Sequence, residues 1–237
     1  MTNNPPPINQ EVREIFNRIA PVYDQLNDWL SLGQHRIWKE MTVKWSAAKP
    51  GDTCLDLCCG SGDLTFQLAR RVGHTGTVYG VDFSCNLLAA AQERSQKYYP
   101  QPPITWIEAD VLKLPFEDNQ FDAITMGYGL RNVKDIPLSL QEIYRVLKPG
   151  KKAAILDFHR PSNQIFRTFQ QWYLDHLVVP LATNLGVKDE YAYISPSLDR
   201  FPSGKKQVEI SQQAGFVNIT HYPISNGMMG VLVVHKS

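Results

Sequence analysis

Two glycines and an aspartate have the spacing of a nucleoside-binding site. Gly60 and Gly62 follow the apolar stretch 54–57, and Asp82 ends a second apolar stretch twenty residues after Gly62. Glycines let a ligand approach the backbone at the start of a helix, whose free N–H groups point toward it. A carboxylate at the end of the neighbouring strand accepts hydrogen bonds from both ribose hydroxyls. We therefore predict that these residues bind a nucleoside cofactor.

Two departures from the dinucleotide-binding pattern favour S-adenosylmethionine over NAD. The dinucleotide fingerprint requires a third glycine where this chain has Thr65. Asp56, just before the turn, would repel a pyrophosphate, whereas it could orient the turn's amides or meet the ammonium group of a methionine. We predict S-adenosylmethionine as the cofactor, with Ser61, Thr65 and Phe83 completing its contacts, and keep an NAD-linked oxidoreductase as the alternative.

The segments after the next two predicted strands carry further polar side chains. Asp110 is placed to accept a hydrogen bond from an adenine amino group and Val111 to cover the ring, although Asp110 could simply cap a turn. Gly127 and Gly129 flank Tyr128, and two glycines in these positions predict that the backbone can closely approach a ligand. Arg131 and Asn132 offer hydrogen-bond donors at the presumed reaction centre.

These segments belong to an alternation of strands and helices. The apolar patterns and turn residues predict five strands, three helices and a final antiparallel hairpin. They cover about 53–58, 77–82, 104–108, 121–126 and 152–158 for the strands, 62–72, 84–98 and 135–147 for the helices, and 216–222 with 231–235 for the hairpin. We predict an α/β fold with a Rossmann-like, seven-stranded, mainly parallel sheet and one antiparallel edge strand.

The remaining segments predict the domain organisation. Residues 1–10 are polar and proline-rich and are expected to form a flexible tail, followed by an N-terminal helical cap over 11–46. The Rossmann-like domain is expected to span 47–237, with a helical insertion at about 161–200.

Bulk composition excludes several classes of function. The chain has 43% hydrophobic and 20% charged residues, which is ordinary for a globular protein, and a net charge of +1 gives no electrostatic footprint for nucleic acid. No signal peptide and no run of roughly 18 apolar residues is visible, so we expect a cytoplasmic protein. The four cysteines fit no paired zinc-ligand pattern, so we predict reduced thiols and no metal site.

Several longer motifs resemble the UbiE/MenG family of quinone C-methyltransferases over nearly the whole chain. The segments 16–24 and 31–38 are similar to the family's N-terminal signature, and Gly127–Val133 is similar to its second, more specific signature. The segments 201–208 and 227–230 resemble the branch found in plants and cyanobacteria. One departure is Asp157-Phe158-His159-Arg160-Pro161, where the family usually has Glu-Phe-Ser-x-Pro on the substrate side.

The resemblance implies methylation of a ring carbon of a prenylated naphthoquinol. The branch implies 2-phytyl-1,4-naphthoquinol as the acceptor, which is converted to phylloquinol in phylloquinone biosynthesis. The reduced form is expected, because an oxidised quinone and a sulfonium methyl are both electrophiles. Demethylmenaquinol and a ubiquinone- or plastoquinone-type benzoquinol are the alternative acceptors, and a non-catalytic S-adenosylmethionine-binding subunit is the alternative of another class.

The resemblance and side-chain chemistry together assign roles. Arg131 is expected to stabilise the phenolate and Asn132 to orient the same oxygen, because an arginine stays protonated and is a poor base. His35, His159 or Asp110 through a water are candidate proton acceptors. Tyr23 and Tyr128 could turn an aromatic face to the sulfonium. These residues complete the predicted site.

A phytylated acceptor raises the question of membrane contact. Helical spacing places Ile165, Phe169, Trp172, Tyr173 and Leu177 on one face of a predicted helix over 163–178. This helix could pack in the core, or it could lie in a membrane interface and line an entrance for the isoprenoid chain. Peripheral contact with a thylakoid membrane surface is therefore an expectation, while the oligomeric state stays open, a homodimer included.

Overall fold

The computed structural model describes residues 33–98, 100–184 and 194–237. The predicted tail, most of the predicted cap and Tyr23 lie outside the described residues, so the expectations for them stay predictions.

Seven described strands form one sheet in the order β3-β2-β1-β4-β5-β7-β6. Strands β1 to β5 pair in parallel, and β7 pairs antiparallel with both β5 and β6. The predicted fold class is therefore confirmed, and the predicted hairpin forms one side of the sheet. The strands are β1 (Thr53–Leu57), β2 (Thr77–Asp82), β3 (Ile104–Glu108), β4 (Phe121–Gly127), β5 (Leu147–Phe158), β6 (Val217–Ile224) and β7 (Met229–His235).

Helices connect the strands and cover the sheet. Asp135 and Ser84 cap two of them, because their side chains accept hydrogen bonds from the N–H groups of Leu138 and Leu87. The described helices are α1 (Gln34–Trp45), α2 (Asp63–Val72), α3 (Cys85–Gln96), α4 (Ile136–Val146), α5 (Gln164–Tyr173), α6 (Val179–Asn184), α7 (Ile194–Arg200) and α8 (Gly204–Gln213). A π-helical turn, Leu174–Val178, joins α5 to α6, and a 3₁₀ turn, Leu130–Asn132, follows β4.

The core lies on both faces of the sheet because successive side chains of a strand point to opposite sides. Leu55 and Leu57 of β1 belong to one buried cluster, and Cys54 of the same strand belongs to the other. Strand order reverses between β1 and β4, and the carboxyl ends of β1 to β5 lie at one edge of the sheet. Open α/β sheets bind their ligands in the crevice at such a reversal. The fold therefore brings the predicted site residues to this edge.

Candidate functional site

Asp82 lies buried at the carboxyl end of β2. Its two carboxylate oxygens accept hydrogen bonds from the N–H groups of Gly60 (2.8 Å) and Ser84 (2.9 Å). Burial raises the pKa of Asp82 to about 6, although N–H bonds from Ser84, Gly60 and Phe83 act in the opposite direction. A carboxylate has about four acceptor sites, so Asp82 can still accept hydroxyl donors. The arrangement fits a ribose, whose hydroxyls would compensate a buried charge.

The backbone of the glycine turn takes the left-handed conformation at both predicted positions, with φ of 55° at Gly60 and 93° at Gly62. A Cβ on Gly62 would lie 2.7 Å from the Trp106 ring and 3.0 Å from Phe66. The space beside Gly62 is therefore filled by the protein's own aromatic rings. These rings account for the absence of a side chain at Gly62, and a cofactor contact with its backbone stays a prediction.

Asp56 and Thr65 form an internal polar link under the turn. Asp56 is fully buried and accepts hydrogen bonds from the hydroxyls of Thr65 (2.6 Å) and Thr125 (2.7 Å). Burial raises the pKa of Asp56 to about 7, with the two threonines acting in the opposite direction. Both oxygens of Asp56 thus join β1 to α2 and β4. Of the two roles considered for Asp56, hydrogen bonds to the turn's amides are not found among the described residues, and contact with an ammonium group stays a prediction.

The glycines that flank Tyr128 make room for side chains. A Cβ on Gly127 would lie 2.7 Å from Leu64, and one on Gly129 would lie 2.5 Å from Cys58. Close packing of protein atoms thus accounts for both glycines, and an approach of ligand to their backbone stays a prediction. Tyr128 itself has a positive φ of 61°, as Cys58 has at 51°. Such conformations are uncommon for residues other than glycine and concentrate at functional sites.

A buried ion pair that the sequence analysis missed joins α1 to the start of α2. Lys39 Nζ lies 2.6 Å from Asp63 Oδ2, and Arg94 lies 2.9 Å from Asp63 Oδ1. Arg94 also donates to the carbonyl of the buried residue Ser61. Although burial raises the pKa of Asp63, Lys39 and Arg94 lower it to about 2. The turn is therefore held from its outer side by two cations.

Arg131 is fixed by three neighbours at the end of β4. Asp157 Oδ1 accepts a short hydrogen bond from Arg131 Nη1, and Asp157 Oδ2 accepts one from the Arg131 backbone N–H (2.8 Å). Ser197 Oγ accepts a hydrogen bond from Nε (2.9 Å). The guanidinium carbon lies 5.3 Å from the centroid of the Phe158 ring. Arg131 therefore lies at the reaction end of the sheet in one defined orientation.

Two aromatic rings lie between the two buried cations. The Phe158 and Tyr128 rings are 5.2 Å apart, and Lys39 Nζ lies 5.6 Å from the centroid of the Tyr128 ring. Each cation has its own carboxylate partner, Asp63 for Lys39 and Asp157 for Arg131. A cation over an aromatic face gains about 0.5–2 kcal/mol. The two rings therefore connect Lys39, beside the start of α2, to Arg131, in the turn after β4.

Asn132 contributes a buried acceptor atom to the same edge. Its Nδ2 donates to the Tyr128 carbonyl (3.2 Å), whereas its Oδ1 is buried and has no hydrogen-bond partner in the part of the chain that the structure describes. A buried polar atom without a partner costs about 1–3 kcal/mol. A ligand with a hydroxyl or ammonium donor would satisfy Oδ1.

The two candidate histidines lie in different environments. His35 is buried on α1, one helical turn before Lys39, and both line a cavity of about 1040 Å³ together with Asp63. His159 is buried after β5, with its Nε2 3.1 Å from Nε2 of His221. Burial, His221 and Arg131 lower the pKa of His159 to about 3. His159 is therefore a weak proton acceptor near neutral pH, contrary to our expectation.

The segment after β3 has the turn geometry that we considered as the alternative. Asp110 is exposed, and its Oδ1 accepts a hydrogen bond from the Leu112 N–H (2.9 Å). Its other oxygen has capacity for an adenine amino group or a water. Val111 is buried in the main core cluster, and Phe83, after β2, is half-buried. Contacts of all three with an adenine stay predictions.

Two cysteines at this edge, Cys58 and Cys59, do not offer reactive thiols. Burial raises the pKa of Cys58 and of Cys59, with nearby aspartates acting in the same direction. All four cysteines are free. Across the described ranges, no three His, Cys, Asp or Glu side chains come together as metal ligands.

Comparison with known proteins decides the family. A sequence profile of the ubiE/COQ5 methyltransferase family matches residues 7–237. The chain belongs to this family. This chain is 76% identical over 229 residues to the 2-phytyl-1,4-naphthoquinone methyltransferase of Trichormus variabilis. The match covers 97% of this chain and all of the relative. The chain is 53% identical to the chloroplastic 2-phytyl-1,4-beta-naphthoquinone methyltransferase of Arabidopsis thaliana, covering 96% of this chain and 88% of the relative.

Solved structures of low identity share the methyltransferase's fold. A phosphoethanolamine N-methyltransferase 2 of Haemonchus contortus has a TM-score of 0.70 at 18% identity, covering 95% of this chain and 60% of the other. A SAM-dependent methyltransferase of Aquifex aeolicus has a TM-score of 0.65 at 19% identity, covering 89% and 96%. Both support the class I methyltransferase fold.

Sequence analysis of the methyltransferase missed the partners of its predicted residues. Lys39, Asp63 and Ser197 carry no local motif of their own. The contacts join residues 24, 26 and 66 positions apart. Asp157 could have been found from its end-of-strand position, shared with Asp82, and from its place in the segment that departs from the family's Glu-Phe-Ser-x-Pro.

Proposed function

We propose that this methyltransferase transfers a methyl group from S-adenosylmethionine to a ring carbon of 2-phytyl-1,4-naphthoquinol. The observation that carries the acceptor is the name shared by the relatives, one of them in Nostoc punctiforme, 77% identical over 97% of this chain. The position of Arg131 and Asn132 at this edge supports it, because Arg131 can donate to a phenolate oxygen and Asn132 Oδ1 can accept from a phenolic O–H. Reduction of the acceptor precedes methylation in this proposal.

The chemistry demands a nucleophilic ring. S-adenosylmethionine supplies, when bound, a methyl group on a positively charged sulfur, which is electrophilic. A quinol pushes electron density onto the ring carbon, most strongly as its phenolate, whereas a quinone withdraws it. Holding the two partners in contact contributes much of the rate enhancement, because it replaces a bimolecular encounter by a positioned one.

The residues of the chain divide this work between two sides. On the cofactor side, Asp82 accepts the ribose hydroxyls and the Gly60 turn approaches the methionine end. On the acceptor side, Arg131 has five N–H bonds, of which its side chain gives two to Asp157 and Ser197. The remaining N–H donors of Arg131 stabilise the phenolate oxygen. Asn132 Oδ1 accepts a hydrogen bond from a hydroxyl or ammonium group of a bound ligand.

Two protons leave the acceptor, one from the hydroxyl and one from the methylated carbon, and the product phenolate takes one proton back to give the methylated quinol. Of the two histidines, His35 is preferred as the proton acceptor, since it lies one helical turn from Lys39 and lines a cavity with it. A water held by Asp110 is the other route. His159 is the least suited because of its low pKa.

We also propose that α5 docks the enzyme on the membrane that holds its acceptor. The predicted apolar face is largely exposed: Ile165 is 76%, Phe169 49%, Trp172 48% and Leu177 47% exposed. Helix α5 is attached to the site through Gln170, whose side chain donates to the His159 carbonyl (2.8 Å). Nowhere in the described ranges is a helix both long and apolar enough to cross a bilayer. Shallow insertion of this face fits an amphipathic helix near the entrance for a phytyl chain.

A panel of acceptors tests the proposed function. The purified protein is incubated anaerobically with S-adenosylmethionine and either 2-phytyl-1,4-naphthoquinol, a menaquinone-type demethylated naphthoquinol or a demethylated benzoquinol of equal chain length. We expect the highest kcat/KM for the phytyl naphthoquinol. A higher kcat/KM for the benzoquinol would replace the proposed acceptor by the benzoquinone alternative.

A further inference from the structure

Asp157 is the last carboxylate before the end of β5, and each of its two oxygens accepts a hydrogen bond from Arg131. It accepts from the Arg131 side chain and backbone, and its Oδ1 also accepts from the Phe158 N–H (2.8 Å). Asp157 is 1% exposed. A buried carboxylate that accepts three hydrogen bonds, two of them from Arg131, fixes the position and the orientation of the Arg131 side chain.

Ser197 fixes the same arginine from the other side. This residue lies on α7, in the stretch between β5 and β6, and is 1% exposed. Its hydroxyl donates to the Ile194 carbonyl (2.6 Å), so a lone pair of Oγ faces Nε of Arg131. The hydrogen bond joins the helices after β5 to the turn after β4.

The Phe158 ring supplies the third constraint. The guanidinium lies over this ring at 5.3 Å, while Asp157 and Ser197 take the Nη1 and Nε sides. The Nη2 group and the second Nη1 N–H have no hydrogen-bond partner among the described residues. A planar fork held in this way presents its remaining donors in one direction.

We infer that Asp157 and Ser197 are positioning residues that aim the free donors of Arg131 at the acceptor's oxygen. This inference rests on the proposed function, since it assigns that oxygen to the quinol. It makes α7 part of the acceptor site, and it predicts that both residues act on the methyl-transfer step through Arg131 without contacting the cofactor.

Four variants test the inference. Asp157→Asn keeps the shape but removes the charge, and Asp157→Glu restores the charge with one more methylene. Ser197→Ala removes the hydrogen bond to Nε. Asp199→Asn is the matched control, because Asp199 lies on the same helix α7, is 53% exposed and pairs with Arg160 (2.9 Å) instead of Arg131.

We expect kcat for the quinol to fall about 100-fold in Asp157→Asn, as for a misplaced catalytic group. Ser197→Ala is expected to lower it about 10-fold, for one lost hydrogen bond to a charged group. Asp157→Glu should recover part of the loss, and Asp199→Asn should keep the wild-type kcat. Calorimetry should give the wild-type affinity for S-adenosylmethionine in all four, which a general structural defect would not allow.

A second measurement does not depend on turnover. The Nε–H proton of Arg131, assigned by its absence in Arg131→Lys, should give a slowly exchanging NMR signal that weakens or shifts in Asp157→Asn and Ser197→Ala. Unchanged kcat in a folded Asp157→Asn, or equal losses of kcat and cofactor affinity, would overturn the inference. If the wild type methylated no quinol while this signal behaved as expected, the proposed function would fail and the fixed arginine would remain.

Discussion

At the scale of single residues, the site is built from buried charges that differ in how well they are compensated. Asp63 and Asp157 each face a cation, whereas the hydrogen bonds of Asp82 within the described chain come from backbone N–H groups. Burial raises the pKa of Asp82 to about 6 and also raises the pKa of Asp157 in spite of Arg131, whereas two cations lower the pKa of Asp63 to about 2. The pKa of a buried carboxylate without a cation partner falls when a bound ligand donates hydrogen bonds to its ionised form.

The affinity for S-adenosylmethionine should therefore depend on pH through Asp82. Above pH 6 the carboxylate is ionised and accepts both ribose hydroxyls, and below pH 6 it binds a proton instead. We expect the affinity at pH 5 to be about tenfold lower than at pH 7, since only about a tenth of Asp82 is ionised one pH unit below its pKa. Asp82→Asn should bind weakly with a flatter pH profile in calorimetry. A steep profile that survives this substitution would assign the titration to another group, such as Asp56.

Arg131 should affect the chemical step and leave the cofactor's affinity intact. Arg131→Lys keeps the charge beside Asp157 but loses the planar fork, so folding is preserved better than with alanine. We expect kcat to fall about 100-fold, as for the loss of a preorganised donor. Steady-state kinetics with the quinol and calorimetry with S-adenosylmethionine separate the two effects. A parallel loss of cofactor affinity would place Arg131 on the cofactor side.

The sequence predicted residues at strand ends better than it predicted their contacts. Asp82 and Arg131 could be found because each follows a strand in a recognisable segment. The reason for the glycines at 62, 127 and 129 could not be found in the same way. The side chains that fill the space beside them, of Trp106, Leu64 and Cys58 respectively, come close only after folding. Local spacing contains no information about which side chain fills such a gap.

At the scale of elements, one ion pair connects the N-terminal helix α1 to the glycine turn. Lys39 is 6% exposed and Asp63 25% exposed, so the pair is largely removed from water. Helix α1 also packs on the sheet side through Val43, a member of the cluster with Leu64 and Leu68 of α2. The cofactor edge and α1 should therefore lose stability together.

Lys39→Met tests this connection. It leaves Asp63 partly buried with Arg94 as its remaining partner, and we expect a loss of about 3 kcal/mol in the free energy of unfolding. Lys97→Met is the control, because the Lys97–Glu93 pair is exposed at 69% and 72% and such pairs contribute little. Chemical denaturation followed by circular dichroism gives both values. Equal, small losses in the two variants would show that Lys39 contributes no more than a surface lysine.

The elements themselves were largely predictable. The strands predicted at 77–82 and 104–108 have those bounds in the structure, because apolar runs end at polar turns. Strand β5 begins earlier than predicted, at Leu147, since Leu147 pairs with Phe121 before a register shift. This pairing depends on a neighbouring strand, which residue patterns along one segment do not contain.

At the scale of the whole molecule, the exposed face of α5 raises the question of how the enzyme meets a membrane-bound acceptor. The Phe169 and Trp172 rings stack at 6.1 Å, and Trp172 also stacks on His176 at 5.5 Å. Aromatic rings of this type prefer the boundary between lipid and water. The sequence predicted this face by its helical period, but only the structure shows that the described residues leave much of it exposed.

Liposome flotation tests the role of this face. The wild type should float with vesicles that contain anionic lipid, and the double variant Phe169→Ser, Trp172→Ser should bind about tenfold less, since two partly buried rings are lost. Leu138→Ser is the matched control, because Leu138 is an exposed apolar residue (39%) on α4. Equal flotation of all three proteins would contradict membrane docking, and light scattering would then test α5 as a contact between two copies of the chain.

The central claim is methylation of a reduced naphthoquinone ring by the site at the carboxyl edge of the sheet. It is tested most directly by mass spectrometry of 2-phytyl-1,4-naphthoquinone incubated anaerobically with trideuteromethyl-labelled S-adenosylmethionine, once after reduction to the quinol and once oxidised. We expect one labelled methyl group on the ring of the reduced acceptor and none on the oxidised one. No label in the reduced acceptor, or label attached to an oxygen, would contradict the account.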